Sequence, residues 1–193
     1  MKYDPQKHHR RSIRLKGYDY SQQGAYFVTL VTHERQCLFG EVVDGEMVLN
    51  EYGKIVYEEW FLSTKIRNEI VLHKKEFIVM PNHIHGIVWI KSDIIDVGIT
   101  EMNGTTGLLG STGRSTQLTR PNGPANKSLS SFIAGYKSSV TKRINQIRQA
   151  PGVPVWQRNY YEHIIRNESG VNKIREYILN NPSNWKKDDT CNV

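Results

Sequence analysis

A chain of 193 residues is long enough for one domain with its own core, with no need of disulfides or a structural metal. With 38% hydrophobic and 23% charged residues it reads as globular, and no apolar run approaches the roughly 18 residues of a membrane span. Lysine and arginine number 26 against 19 acidic residues, a formal charge of +7, which favours polyanions, meaning nucleic acid or an anionic membrane surface.

Residues 1–24 form a basic, turn-rich arm with Lys7, Arg10, Arg11, Arg14 and Lys16 ahead of Gly17 and Gly24. The arm has no apolar stretch, so it is not expected to act as a secretory leader. Cys37 and Cys191 lie far apart and outside any paired metal-ligand spacing. Neither a disulfide framework nor a zinc finger is expected, and a cytoplasmic, reducing setting follows.

Ala25 to Thr32 is β-branched and aromatic and predicts a strand. Glu41 to Val48 predicts a short hairpin turning at Asp44-Gly45. Leu49, Tyr52, Val56 and Trp60 recur at helical spacing, giving a helix from Leu49 to about Ser63. Glu69 to His73 and Glu76 to Met80 are strand material, Pro81-Asn82 breaks the run, and His83 to Ile90 resumes it. Residues 91–127 scatter Gly98, Gly104, Gly107, Gly110, Gly113 and Gly123 among Thr, Ser and Asn. That is too long for an ordinary loop in a compact domain and reads as a surface excursion. Helical periodicity returns at Ser128, a basic loop runs from Arg148 to Val155, and Trp156 to Arg166 is mostly extended. A last helix runs from about Ser169 to Asn181, stopped by Pro182. The whole, 1–193, is expected to be a single α+β domain built on an antiparallel sheet.

The sharpest local feature is Met80-Pro81-Asn82-His83-Ile84-His85-Gly86. Residues two apart on a strand face the same way, so His83 and His85 project together while Ile84 points to the other face. Two imidazoles on one strand can hold a divalent ion at neutral pH. Two ordinary polar residues at a strand start would look the same. A histidine-triad nucleotide hydrolase would want a third histidine where Ile87 stands, and a zinc hydrolase would want further ligands nearby.

Ten tyrosines compete as nucleophiles. Tyr136 falls within the stripe Leu129, Phe132, Ile133, Val140, Ile144 and Ile147, which makes it a core aromatic. Tyr160 and Tyr161 stand on an extended segment where one ring packs and the other is exposed, and they stay open as candidates. Tyr177 lies at the edge of the stripe Val171, Ile174 and Ile178, with Asn181 four residues on and on nearly the same face. A nucleophile and a third metal ligand could stand there; an edge tyrosine beside a helix-ending asparagine reads equally well from spacing.

The two segments Met80–His85 and Arg175–Pro182 resemble the single-tyrosine HUH transposases, most closely the REP-associated tyrosine transposases. Arg10 to Leu15, Gly24 to Thr29 and Pro154 to His163 add to the likeness, in the expected order, with 91–127 outside it. The resemblance implies a ferredoxin-like antiparallel sheet with helices against it. It implies that His83, His85 and Asn181 hold a divalent metal, Mg²⁺ or Mn²⁺, and that Tyr177 is the nucleophile. It further implies single-stranded or hairpin DNA as substrate and a homodimer. Arg10, Arg11, Arg14, Lys137, Arg143 and Arg158 are the candidate phosphate contacts, and Trp156, Tyr160 and Tyr18 the candidate base-stacking rings. The expected function is a metal-dependent endonuclease and strand transferase with a 5′-phosphotyrosine intermediate. Two rivals remain: a silent binder of DNA hairpins, and a metal-dependent phosphodiesterase that uses water.

Overall fold

The computed structural model describes residue 15 and residues 17–91 and 125–185. The arm residues Arg10, Arg11 and Arg14, and all but the ends of the glycine-rich segment, lie outside the described residues. The first strand, β1 (Gly24–Val31), is followed by the hairpin β2 (Gly40–Val43) and β3 (Glu46–Leu49). Asp44 and Gly45 take positive φ values of 52° and 80°, the turn that suits the twist of a two-residue hairpin. Helix α1 (Glu51–Leu62) starts at Asn50, whose side chain accepts from the Gly53 N–H at 2.9 Å. Strands β4 (Ile70–Val71), β5 (Phe77–Met80) and β6 (His83–Ile90) follow, then α2 (Leu129–Ile147), β7 (Tyr161–Ile165) and α3 (Glu168–Asn180).

The main sheet is antiparallel, in the order β4-β6-β1-β7, with β5 pairing the other half of β6. Because β6 is shared, β4 shrinks to two residues, shorter than the expected Glu69–His73. The chain must turn through Lys74–Glu76 before β5 can enter its own register, Phe77 opposite Gly86 to Met80 opposite His83. Alternation along β1 sends Tyr26, Val28 and Leu30 into the larger core under α1 and α2, and Ala25 and Phe27 toward α3 on the opposite face. Tyr136 is buried in the larger core, as its stripe predicts, and its hydroxyl donates to the Val56 carbonyl at 3.0 Å. The α+β architecture and its antiparallel sheet are thus those expected.

One expectation is corrected. Cys37 is disulfide-bonded, so cysteine usage no longer argues for a reducing compartment. Spacing exposes clustered cysteines, and a bridge formed between distant positions leaves no such trace; Cys191 lies outside the described residues. Among the described residues no helix is long and apolar enough to cross a membrane.

Gly86 lies between His85 and Ile87 because nothing larger fits. A Cβ there would stand 2.6 Å from the Trp60 ring, which stacks on Phe77 at 4.5 Å beneath the strand. Gly86→Ala should therefore cost about 1–3 kcal/mol of stability through overpacking, measured as a lower urea midpoint at unchanged m value.

Candidate active site

The two histidines leave β6 on the face covered by α3, while Ile84 between them is fully buried in the other core. Their Nε2 atoms lie 3.0 Å apart. Each ring is held from behind. The Asn82 side-chain oxygen lies 2.7 Å from His83 Nδ1, and the Thr29 hydroxyl 2.8 Å from His85 Nδ1. Thr29 stands opposite His85 in the β1–β6 register, so the sheet itself places this contact. Phe27 stacks on the His85 ring at 5.4 Å, and Trp185 lies 5.8 Å from the His83 ring.

Helix α3 supplies the rest. Val171, Ile174 and Ile178 pack on Ala25, Phe27, Ile87 and Ile165. Arg175 donates to the Glu76 carboxylate at 2.9 Å and 2.5 Å, and that carboxylate also accepts from Trp89 Nε1 at 2.6 Å. Glu76 is 1% exposed, so the pair is a fixed point between helix and sheet. Two residues along, Tyr177 is 50% exposed and its hydroxyl lies 3.2 Å from His85 Nε2. Asn181 follows as the C-cap residue of α3, close enough to His83 to act on its protonation. One chain therefore brings His83, His85, Tyr177 and Asn181 together without help from a second copy.

An amide oxygen only accepts, so with Asn82 behind it His83 carries its proton on Nδ1 and turns a lone pair toward His85. Thr29 can accept from His85 Nδ1 in the same way, which turns its Nε2 lone pair to the same point. Two lone pairs so placed converge on one point that a cation could occupy; with the Thr29 hydroxyl donating instead, His85 Nε2–H would donate to His83 Nε2. A further proton on the pair is disfavoured. Burial, then the nearby charge of Arg35, push His83 down to about 4 against the opposing hydrogen bond from Asn181, and burial, then His83, push His85 down to about 3. The 3.0 Å separation suits two nitrogens bound at right angles about 2.1 Å from one metal ion. The described residues hold no cluster of three His, Cys, Asp or Glu side chains, so a third protein donor would be the Asn181 amide.

The depressed values have a sign. Unfolded histidines take up protons near pH 6.5 that the folded pair refuses until about pH 4 and 3. Stability measured in chelator should thus be full above about pH 6.5 and fall as acid is added below it, by at most about 1.4 kcal/mol per pKa unit and group. Thermal melts of a His83→Gln, His85→Gln double variant should show a flatter pH slope than the parent. An equal slope would mean that the pair is not held neutral.

The candidate DNA contacts are placed unevenly. Lys137 donates its ammonium to the Gln157 and Arg158 carbonyls at 2.5 Å and 3.2 Å, and burial pushes it down to about 8. Arg143 bridges Glu58 and Glu59 at 2.9 Å and 2.8 Å, tying α2 to α1. Both charges are thus already engaged inside the fold. Arg158 is exposed. Trp156 is 6% exposed and packed in the core, Tyr160 and Tyr18 pack against it, and Tyr161 is 46% exposed. Sequence reading missed Arg35, which stands exposed near His83 in a left-handed backbone conformation (φ 58°), beside Glu34 at φ 54°. It also missed Thr29, Asn82 and Trp185. Only the Asn82-His83 adjacency was there to be read.

No family model matches the chain. An uncharacterized protein of Haemophilus influenzae (strain ATCC 51907 / DSM 11121 / KW20 / Rd) is 38% identical over 187 residues, spanning 97% of this chain and 96% of that protein. The chain belongs to the family of that Haemophilus protein. A solved REP-associated tyrosine transposase, bound to a REP hairpin, is similar in structure with a TM-score of 0.50, 17% identity, and coverage of 91% of this chain and 77% of its own. This chain thus shares the fold of that structure, an antiparallel sheet with three α-helices among the described residues.

Proposed function

We propose that the protein is a metal-dependent single-stranded DNA endonuclease and strand transferase, acting in transposition or in the processing of palindromic-repeat hairpins. The observation that carries this reading is the Tyr177 hydroxyl, 3.2 Å from the imidazole of His85, whose Nε2 stands 3.0 Å from that of His83. Hairpin DNA is carried over as substrate class from the REP-associated transposase of the same fold, and the +7 charge suits it. The reading keeps a homodimer, testable by light scattering, although one chain already holds the proposed residues.

A divalent cation such as Mg²⁺ or Mn²⁺, held by His83, His85 and Asn181, would supply Lewis-acid polarisation of a phosphate oxygen. The chain does the rest. Tyr177 attacks the scissile phosphorus; its phenolic proton leaves to the solvent that reaches this half-exposed side chain. The new Oη–P bond replaces the P–O3′ bond, and the released 3′ oxygen takes a proton from water. The phosphodiester energy is kept in a 5′-phosphotyrosine link, so a second 3′-hydroxyl can reverse the step. Arg35, exposed and near enough to His83 to act on its charge, would hold the phosphate before attack.

The test is a denaturing gel of protein incubated with single-stranded oligonucleotides bearing hairpins, with and without chelator. An adduct that survives denaturant, needs metal and maps to Tyr177 supports the reading. Cleavage with no adduct would favour a hydrolase using water, and hairpin binding with no cleavage a silent binder.

A further inference from the structure

The face that carries the histidines does not end at α3. Tyr161, the first residue of β7, stands opposite Thr29, and Thr29 stands opposite His85. The three lie in one row across the sheet, so Tyr161 is two strand spacings, about 10 Å, from the metal-ligating candidate. Its side chain is on the same face. The ring meets Phe27 edge-on at 6.3 Å; Phe27 stacks on His85 at 5.4 Å and meets Tyr177 at 6.1 Å. A continuous aromatic surface therefore runs from the proposed nucleophile out to the edge of the sheet. The α3 side chains cover Ala25, Phe27, Ile87 and Ile165 and stop short of Tyr161, which stays 46% exposed. His163, two residues along β7 and opposite Phe27, is also exposed.

An exposed aromatic ring on an edge strand, tied at its inner rim to the reacting groups, has little to do for the core. Its chemistry suits a flat apolar ligand with a charged tail. We propose that Tyr161, on its Phe27 support, is a stacking subsite for an unpaired nucleobase a few nucleotides from the scissile phosphate. This rests on the reading of the site given above and adds to it the way in which the strand is held. Stacking is indifferent to base identity, so the subsite fixes the position of an unpaired strand and not its sequence. A duplex keeps its bases stacked on one another and offers none to the ring. Tyr161 thus selects single-stranded over paired DNA at the cutting point, while the hairpin is recognised elsewhere.

The experiment uses the full chain, hairpin-bearing oligonucleotides with unpaired flanks, and 2-aminopurine placed at successive flank positions. With the parent, quenching at one or two adjacent positions is expected. Tyr161→Leu keeps apolar bulk and should lose both the quenching and about tenfold in affinity for the unpaired flank. Tyr161→Phe should restore them and still form the Tyr177 adduct. At saturating DNA the single-turnover rate of Tyr161→Leu should fall far less than its affinity. Leu at parental affinity, in a protein whose parent forms the adduct, overturns the subsite and leaves the function standing. A change in oligomeric mass with unchanged DNA affinity overturns it in favour of a contact between copies. A parent that neither binds these oligonucleotides nor forms an adduct overturns both.

Discussion

Tyr177→Phe should erase the protein–DNA adduct, lowering its rate of formation by at least about a thousandfold, with the melting temperature almost unmoved. The side chain is half exposed, and its hydroxyl meets His85 Nε2 at 3.2 Å. Loss of that contact is worth no more than about 1 kcal/mol of stability. Tyr136→Phe is the opposite case. Its hydroxyl is buried and bonds the Val56 carbonyl, so removal should cost about 1–3 kcal/mol and leave the adduct intact. The two variants should separate activity from stability crosswise in a gel and a melting curve. An adduct that survives Tyr177→Phe and maps to Tyr160 or Tyr161 would move the nucleophile while keeping the class of reaction.

His85→Ala should remove cleavage altogether, and His83→Ala likewise, because each deletes one of the two converging lone pairs. Neither should unfold the chain, since the histidines belong to neither apolar cluster. The more discriminating change is Thr29→Val. Valine keeps the shape and the strand preference but removes the hydroxyl behind His85 Nδ1. Loss of such a supporting contact typically weakens metal affinity about 10–100-fold. Calorimetric titration with Mn²⁺ should show that drop, and cleavage should recover at higher metal concentration. Parental affinity in Thr29→Val, or full cleavage in chelator, would sink the metal site.

Much of this molecule is legible in its residues. Strong patterns became the elements they predicted: Ala25–Thr32 became β1, Asp44-Gly45 a hairpin turn, and the helical periodicity that returns at Ser128 became α2. Alternation along the strand set His83 and His85 against Ile84, and the structure keeps that division. What the pattern could not carry is pairing. Thr29 is an unremarkable strand residue until register sets it opposite His85. Glu76 and Arg175 are nearly a hundred positions apart and meet only because α3 crosses the end of β5. Charge is also read incompletely from sequence. Lys137 and Arg143 are candidate phosphate contacts, and the fold gives one of them backbone carbonyls and the other two glutamates as partners. Sequence counts charges without showing which are already spent within the fold.

The attachment of α3 has a consequence for the reaction cycle. The helix is held to the sheet by a few aliphatic side chains and by the Arg175–Glu76 contact, while α1 and α2 share the larger core. Small contacts of this kind open more readily than a shared core, so α3 should exchange its amide hydrogens ahead of β1 and β6. A DNA end bonded to Tyr177 would then travel with the helix, as cargo on a tethered arm. His83 and His85, the proposed metal ligands, would stay behind on the rigid sheet. Undocking α3 would also withdraw Asn181, so the site would lose its third donor as the bonded end departs and regain it on return.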